Sequence, residues 1–269
     1  RRATVISLRY AIHSCVSAAV LPLTGRILES LPFPDGYQLV FGLSFVAAML
    51  NTWIYSRVRI PDQAVPPVAE TDERPLARIR GALGSLRAHR EFADYLAPSA
   101  LFRLGLYLPS ALFSIYWVRH LDLTDSEIAA ANTTVYIFSV LGYFFWGGIA
   151  KRRGHGPVLM ASTVGLALYP LITSLARSLP LILVASCAGG WFSAGMNLAF
   201  FNVLLAVTPD DRRSSFVALD SLVVHTIAFA GPLLGSALTS HVDIRLVLVL
   251  AAIVRLSGGI LFVMRGVHD

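Results

Sequence analysis

Charge is what this sequence has least of. Only 14% of its 269 residues are Asp, Glu, Lys or Arg, while 55% are hydrophobic; a soluble domain carries about 25% charged residues. A soluble globular domain is therefore excluded, and the expected class is an all-α integral membrane protein. Lysine is nearly missing: Lys151 is the only one, so the basic charge is arginine. The two cysteines, Cys15 and Cys187, both fall inside apolar segments, so no disulfide framework is implied and no redox compartment can be read. Enzyme signatures are missing too. There is no H-E-x-x-H, no G-x-S-x-G and no Cys/His cluster at metal spacing, so catalytic residues, metals and cofactors are all expected to be none. Without a G-x-x-x-x-G-K-[ST] loop, energy from this chain's own ATP hydrolysis is unsupported. The net charge of +6 would suit nucleic acid, but the charges lie in short blocks between apolar runs, as membrane topology requires. No nucleic-acid partner is expected. The sequon Asn132-Thr133-Thr134 falls inside an apolar run and carries no weight.

What is present is a series of apolar segments near the roughly 20 residues that cross a bilayer. They run about 4–28, 37–56, 95–118, 128–150, 157–176, 179–207, 214–238 and 243–264. Eight helical spans are predicted, because a backbone in lipid must satisfy its own hydrogen bonds. Thr124 and Glu127 form a capping-box pattern at the start of the fourth. "LPFPDG" and "SHVDIR" read as short turns between neighbouring spans. With the N-terminus inside, one side holds Arg1, Arg2, Arg57, Arg59, Arg74, Arg78, Arg80, Arg87, Arg90, Lys151, Arg152, Arg153, Arg212, Arg213 and Arg265. The other holds only Arg26, Arg119, Arg177 and Arg245. That bias predicts both termini of the chain in the cytoplasm, with the cell (plasma) membrane as the expected location. Arg9, Arg103 and Arg255 lie within spans.

Residues 57–94 divide the chain. "PDQAVPPVAETDERP" reads as an extended linker, and Leu76, Ile79, Leu83 and Leu86 then share one helical face, away from most of the arginines. An amphipathic helix on the inner membrane surface fits that pattern; a solvated charged linker is the alternative. Across this linker the chain repeats itself. Arg2, Pro22, Leu23 and Gly25 recur as Arg212, Pro232, Leu233 and Gly235, each offset by 210 residues. Both segments start inside and precede one final hairpin, which implies a repeat unit of six spans.

Two six-span halves joined by a long cytoplasmic linker resemble the major facilitator superfamily of secondary transporters. The loop after the fourth span, Gly147-Gly148-Ile149-Ala150-Lys151-Arg152-Arg153-Gly154-His155-Gly156, is similar to that family's G-x-x-x-D-R-x-G-R-R motif. Gly147, Arg152 and Gly154 match as they stand and take the motif's gating role. Lys151 stands at the acidic position, and His155 and Gly156 at the last two basic ones, so the family's acid contact is not implied here. "TPDDRRSSF" and "GPLLG" resemble the start and middle of the family's eleventh span. Leu21 to Arg26 lacks two glycines of the export-associated G-P-x-x-G-G pattern, so direction stays open. The resemblance implies a major facilitator-type helical bundle with eight of twelve expected spans, the fifth to the twelfth, and so a chain lacking four N-terminal spans. Residues 1–56 would be the last two spans of the first half, 57–94 the linker, and 95–269 the second half. A monomer is expected for the full-length protein.

Hydroxyls, amides and cations at helical spacing mark a wet surface. Ser99, Arg103, Tyr107, Ser110 and Ser114 form one such stripe, and Asn132, Tyr136, Ser139 and Tyr143 a second. Tyr10, His13, Ser17 and Thr24 make a looser third. Of Asn197 and Asn202, five apart, at most one can face the same way. The expected substrate cavity is thus Arg103, Tyr107, Ser110, Asn132, Tyr136, Tyr143, Asn197 and His13. A charge at mid-bilayer costs about 2.5–3.5 kcal/mol on insertion scales, so Arg103 should face water or protein. Two roles are open to it: contact with an anionic or hydrogen-bond-rich substrate, or a structural pair, for instance with Asp220. Asp220 and His225 are candidates for coupling to a proton or another ion. Arg255 is expected to serve packing, and Gly189, Gly190 and Gly195 close helix contact. Trp53, Trp117 and Trp146 are expected as interfacial anchors. The function implied is a secondary active transporter moving a small polar or amphipathic solute by alternating access. A transporter-like sensor or scaffold, or an incomplete half-gene product, is the alternative. The partners expected are the lipid bilayer and a small-molecule substrate.

Overall fold

The computed structural model describes residues 2–58, 84, 89–209 and 213–266. The proposed linker helix (Leu76, Ile79, Leu83, Leu86) and Arg1, Arg59, Arg74, Arg78, Arg80, Arg87 and Arg212 lie outside the described residues. Among the described residues ten helices follow in order and there is no strand. They are α1 (Arg2–Ser30), α2 (Asp35–Ser56), α3 (Arg90–Tyr107), α4 (Ser110–His120), α5 (Asp125–Arg153), α6 (His155–Gly165), α7 (Leu168–Leu175), α8 (Leu179–Ala206), α9 (Arg213–Leu238) and α10 (Ile244–Arg265). They make eight helical stretches long and apolar enough to cross a membrane, because α3 with α4, and α6 with α7, each form one broken span.

Local chemistry explains the boundaries. Thr124 Oγ1 accepts from Glu127 N while Glu127 Oε2 accepts from Thr124 N, the reciprocal box that starts α5. Asp243 caps α10 by accepting from Arg245 N at 2.8 Å. Gly154 separates α5 from α6 with φ 83° and ψ 177°, a conformation that only glycine adopts without strain. The third span starts at Arg90, five residues before the hydropathy rise, because Glu91 and Asp94 extend the helix beyond its apolar part. Both broken spans bend at proline. Pro109 has no N–H for α3 to continue through, and Pro170 has none for α6.

The packing is helix on helix with small residues at the crossings. α5 lies between α8 and α1, and α10 packs against α3, α6 and α7. A Cβ on Gly190 would run into the carbonyl of Val135, so α8 reaches the backbone of α5 only through a glycine. Ser139 Oγ bridges the same crossing by donating to Gly190 O at 3.1 Å. One aromatic cluster fills the end of the bundle nearest Arg90 and Arg265. Phe92 meets Phe216 at 4.7 Å between ring centroids, and Tyr95, Phe200 and Phe262 pack around them. Arg265 Nη1 closes this end on Asp94 at 2.8 Å. A second core, around Leu112, Tyr116, Trp117 and Leu248, fills the opposite end.

The hairpin of α1 and α2 is hooked to the first turn of α5. Glu29 Oε1 accepts from Ser126 N at 3.1 Å, and Tyr37 OH donates to the Asp125 carboxylate at 3.3 Å. α2 otherwise leaves its apolar surface uncovered, with Gly36 its one buried residue. Two of the three tryptophans expected at the membrane interface are instead core residues. Trp117 and Trp146 are buried, and Trp146 Nε1 donates to Trp191 O at 2.9 Å. Only Trp53 is exposed, with the Arg57 guanidinium 4.7 Å over its ring.

Candidate functional site

Two adjoining cavities run along α5. The first, about 460 Å³, lies between α1, α5 and α8 and is lined by Arg9, Tyr10, His13, Tyr136, Tyr143 and Asn197 among others. The second, about 380 Å³, lies between α3, α4, α5, α7 and α8, with Arg255 of α10 at its wall. Tyr107, Ser110, Asn132, Tyr169 and Met196 line it. Val135 and Ser193 belong to both, so the two share a wall and together make up the trough along α5. Each alone is within the 300–1,000 Å³ of ordinary small-molecule sites.

Helical spacing brings these side chains together. Asn132, Tyr136, Ser139 and Tyr143 lie on the face of α5 that α1 and α8 flank, and Ser193 and Asn197 are one turn apart on α8. Aromatic contacts bind α1 to α5 across the first cavity. Tyr10 stacks on Tyr143 with centroids 5.4 Å apart and planes 13° off parallel, and His13 tilts against Tyr136 at 6.0 Å. The Arg9 guanidinium lies 5.9 Å from the Tyr10 centroid. From α8, Asn197 Nδ2 donates to Tyr143 OH at 3.4 Å. Asn202 instead donates to Leu198 O within its own helix, so only one of the two asparagines faces the trough. Among the described residues no Asp or Glu lines either cavity.

The structure thus places Tyr107, Ser110, Asn132, Tyr136, Tyr143, Asn197 and His13 in one trough. Arg103 is elsewhere. It lines neither cavity; Nη1 donates to Asp220 Oδ2 at 3.3 Å, and the guanidinium lies 4.7 Å over the Phe200 ring. The two side chains are 13% and 7% exposed, so this is a buried ion pair between α3 and α9. The stripe from Ser99 to Ser114 does not stay on one wet face, because the break at Pro109 resets its phase: Ser99 is buried and Ser110 exposed. His225 is exposed on α9 and lines neither cavity. Asp220 Oδ1 and Tyr95 OH are both buried without a hydrogen-bond partner. Gly147, Arg152 and Gly154 stand at the junction of α5 and α6, where Gly154 makes the turn.

Sequence reasoning missed Arg9, Ser193 and Tyr169 as lining residues. Arg9 carried a signal, a cation inside a span, and Ser193 lies one turn before Asn197. Tyr169 carried none, since its position depends on the break before α7. Among the described residues no group of three or more His, Cys, Asp or Glu could hold a metal ion.

A family model described as Major Facilitator Superfamily matches residues 99–268. The chain is 30% identical over 162 residues to the Multidrug resistance protein MdtG of Salmonella typhi, covering 55% of this chain and 39% of that protein. The MdtG proteins of Salmonella paratyphi A and Salmonella arizonae match at the same identity over the same shares. The chain therefore spans 39% of the length of these relatives.

Proposed function

Because the chain belongs to the Major Facilitator Superfamily, we propose that it forms part of a secondary active transporter that moves a small amphipathic solute by alternating access. The observation that carries this reading is the trough of two adjoining cavities along α5, walled by Tyr10, Tyr136, Tyr143 and Tyr169 and dotted with single hydrogen-bonding groups. Flat aromatic walls bind varied apolar bodies, and Asn132, Ser193 and Asn197 give a polar group somewhere to bond. Among the described residues the wall carries Arg9 and Arg255 and no carboxylate, so neutral and anionic aromatic solutes fit better than cations. The similarity to proteins named for multidrug resistance is in keeping with such a loosely specified site.

The contact of α1 with α5 is where the two halves would meet. Opening on the far side would separate Glu29 from the first turn of α5 and Tyr37 from Asp125; opening on the near side would part the Tyr10–Tyr143 stack. The Arg103–Asp220 pair is the proposed coupling element. A proton or another ion reaching Asp220 would compete with Arg103 for the same oxygen and so weaken the tie between α3 and α9. The arginine bias supports both ends of the chain facing the cytoplasm, and the plasma membrane is the proposed location. No catalytic chemistry is assigned to it.

The test is flux. The native protein is extracted from its own membrane, its mass is measured, and it is reconstituted into vesicles under an imposed pH gradient. Carboxyfluorescein, an anionic aromatic dye, should move faster than cationic ethidium, and Tyr143→Ala should abolish the difference. Dye binding without movement under any gradient would refute transport and favour a sensor.

A further inference from the structure

The last span carries a cation without an anion. Arg255 stands in the middle of α10 and is 1% exposed, yet among the described residues no carboxylate pairs with it. A buried unpaired charge costs several kcal/mol, so something else must hold it there. Every hydrogen bond it donates goes to a backbone carbonyl. Nε and Nη2 donate to Gly105 O at 3.4 and 3.2 Å, Nη2 also to Leu106 O at 3.5 Å, and Nη1 to Leu166 O at 3.1 Å.

The choice of carbonyls has a cause. In an α-helix the C=O of residue i accepts from the N–H of residue i+4. Four residues after Gly105 comes Pro109, and four after Leu166 comes Pro170. Neither has an N–H, so proline deprives one carbonyl in each of two different spans of its helical donor. Leu166 O takes a looser 3.3 Å bond from Tyr169 N, and Arg255 completes it. In a bilayer such groups must find another donor, and one guanidinium serves both breaks. Gly105 makes the reach possible: a Cβ there would lie 2.5 Å from the Arg255 backbone N and 2.9 Å from Ala251 O. The cavity residues sit beside these breaks. Tyr107 and Ser110 flank Leu108–Pro109, and Tyr169 follows Leu166–Ala167.

We propose that Arg255 is a positioning residue: it stands in for the two N–H groups that Pro109 and Pro170 remove, and by pinning both breaks to α10 it sets where Tyr107, Ser110 and Tyr169 stand on the trough wall. The role deepens the transport reading and rests on it for its flux measurement alone.

The test turns on rescue. Arg255→Met in the native protein takes from Gly105 O its side-chain donors and leaves Leu166 O with only the looser bond from Tyr169 N, and the thermal unfolding midpoint falls. Adding Pro109→Ala and Pro170→Ala restores the missing N–H groups, so the triple variant regains most of that loss. The restored helices are unbroken, however. Labelling of Ser110→Cys by an impermeant maleimide, in a background with Cys15 and Cys187 replaced by serine, should drop from its rate in the Arg255 protein, and carboxyfluorescein flux should stay at the background of empty vesicles. A triple variant that recovers no stability shows that the proline-orphaned carbonyls are not what Arg255 serves. One that recovers stability, labelling and flux together shows that Arg255 only compensates the prolines and positions nothing. Either result overturns the proposal. If the unsubstituted protein moves no dye, the transport reading fails by itself, and stability with labelling still decides the role of Arg255.

Discussion

The Arg103–Asp220 pair lends itself to a double-mutant cycle. At the 3.3 Å separation seen between Nη1 and Oδ2, two unit charges attract by roughly 5 kcal/mol at an effective dielectric of 20. Both side chains are almost wholly enclosed, so most of that attraction only offsets their desolvation. Removing one partner should therefore cost about 3–5 kcal/mol, and removing both much less. The two single changes should also differ. Asp220→Leu leaves a cation that still lies over the Phe200 ring, a contact worth about 0.5–2 kcal/mol. Arg103→Met leaves a carboxylate whose Oδ1 already has no partner and whose Oδ2 loses its only one. Arg103→Met should therefore be the more damaging at neutral pH and should ease as the medium is acidified, because a proton can then neutralise Asp220. The cycle is read as unfolding free energies in detergent–lipid micelles for the four proteins. A coupling energy under about 0.5 kcal/mol, as expected for independent sites, would refute the pair as an energetic unit.

Other substitutions test separate parts of the structure. Tyr116→Phe deletes a buried hydroxyl that donates to Ala176 O at 2.6 Å and accepts from Arg245 Nε at 3.0 Å; a loss of about 1–3 kcal/mol is expected in the same unfolding assay. Thr124→Ala removes half of the capping box of α5 and should cost about 1 kcal/mol, seen also as faster hydrogen exchange in the first turn. Gly190→Val drives a side chain into the carbonyl of Val135, so α8 must move off α5. That change should cost at least about 1–3 kcal/mol and lower the yield of folded protein, whereas Gly148→Val, where an added Cβ meets nothing within 4 Å, should not.

Much of the architecture could be read before any coordinates, because bilayer thickness sets the length of an apolar run. The eight predicted spans agree with the helices to within a few residues, except where Asp and Glu prolong a helix beyond its apolar part, as at Arg90. The capping box at Thr124 was legible for the same local reason. Proline breaks were not, since a proline inside a span can be absorbed, as Pro22 and Pro232 are within α1 and α9. Trp117 and Trp146 misled because position along a span says nothing about which way a ring points.

For the trough, spacing alone fixed which residues of α5 share a face, and Asn132, Tyr136 and Tyr143 follow from the 3.6-residue period. What period cannot supply is the neighbour on the other side. Arg103 and Arg255 read alike in sequence, as lone cations in apolar helices. Tertiary packing set one against a carboxylate 117 residues away and the other against carbonyls some 89 and 150 residues away. The sequence by itself determined that this chain crosses a membrane as helices, and roughly where, because hydropathy and helical period act within a few turns. Which cation is paired, which carbonyl lacks a donor and which side chains share a cavity were decided by helix crossings, where contact depends on shape brought together across the whole chain.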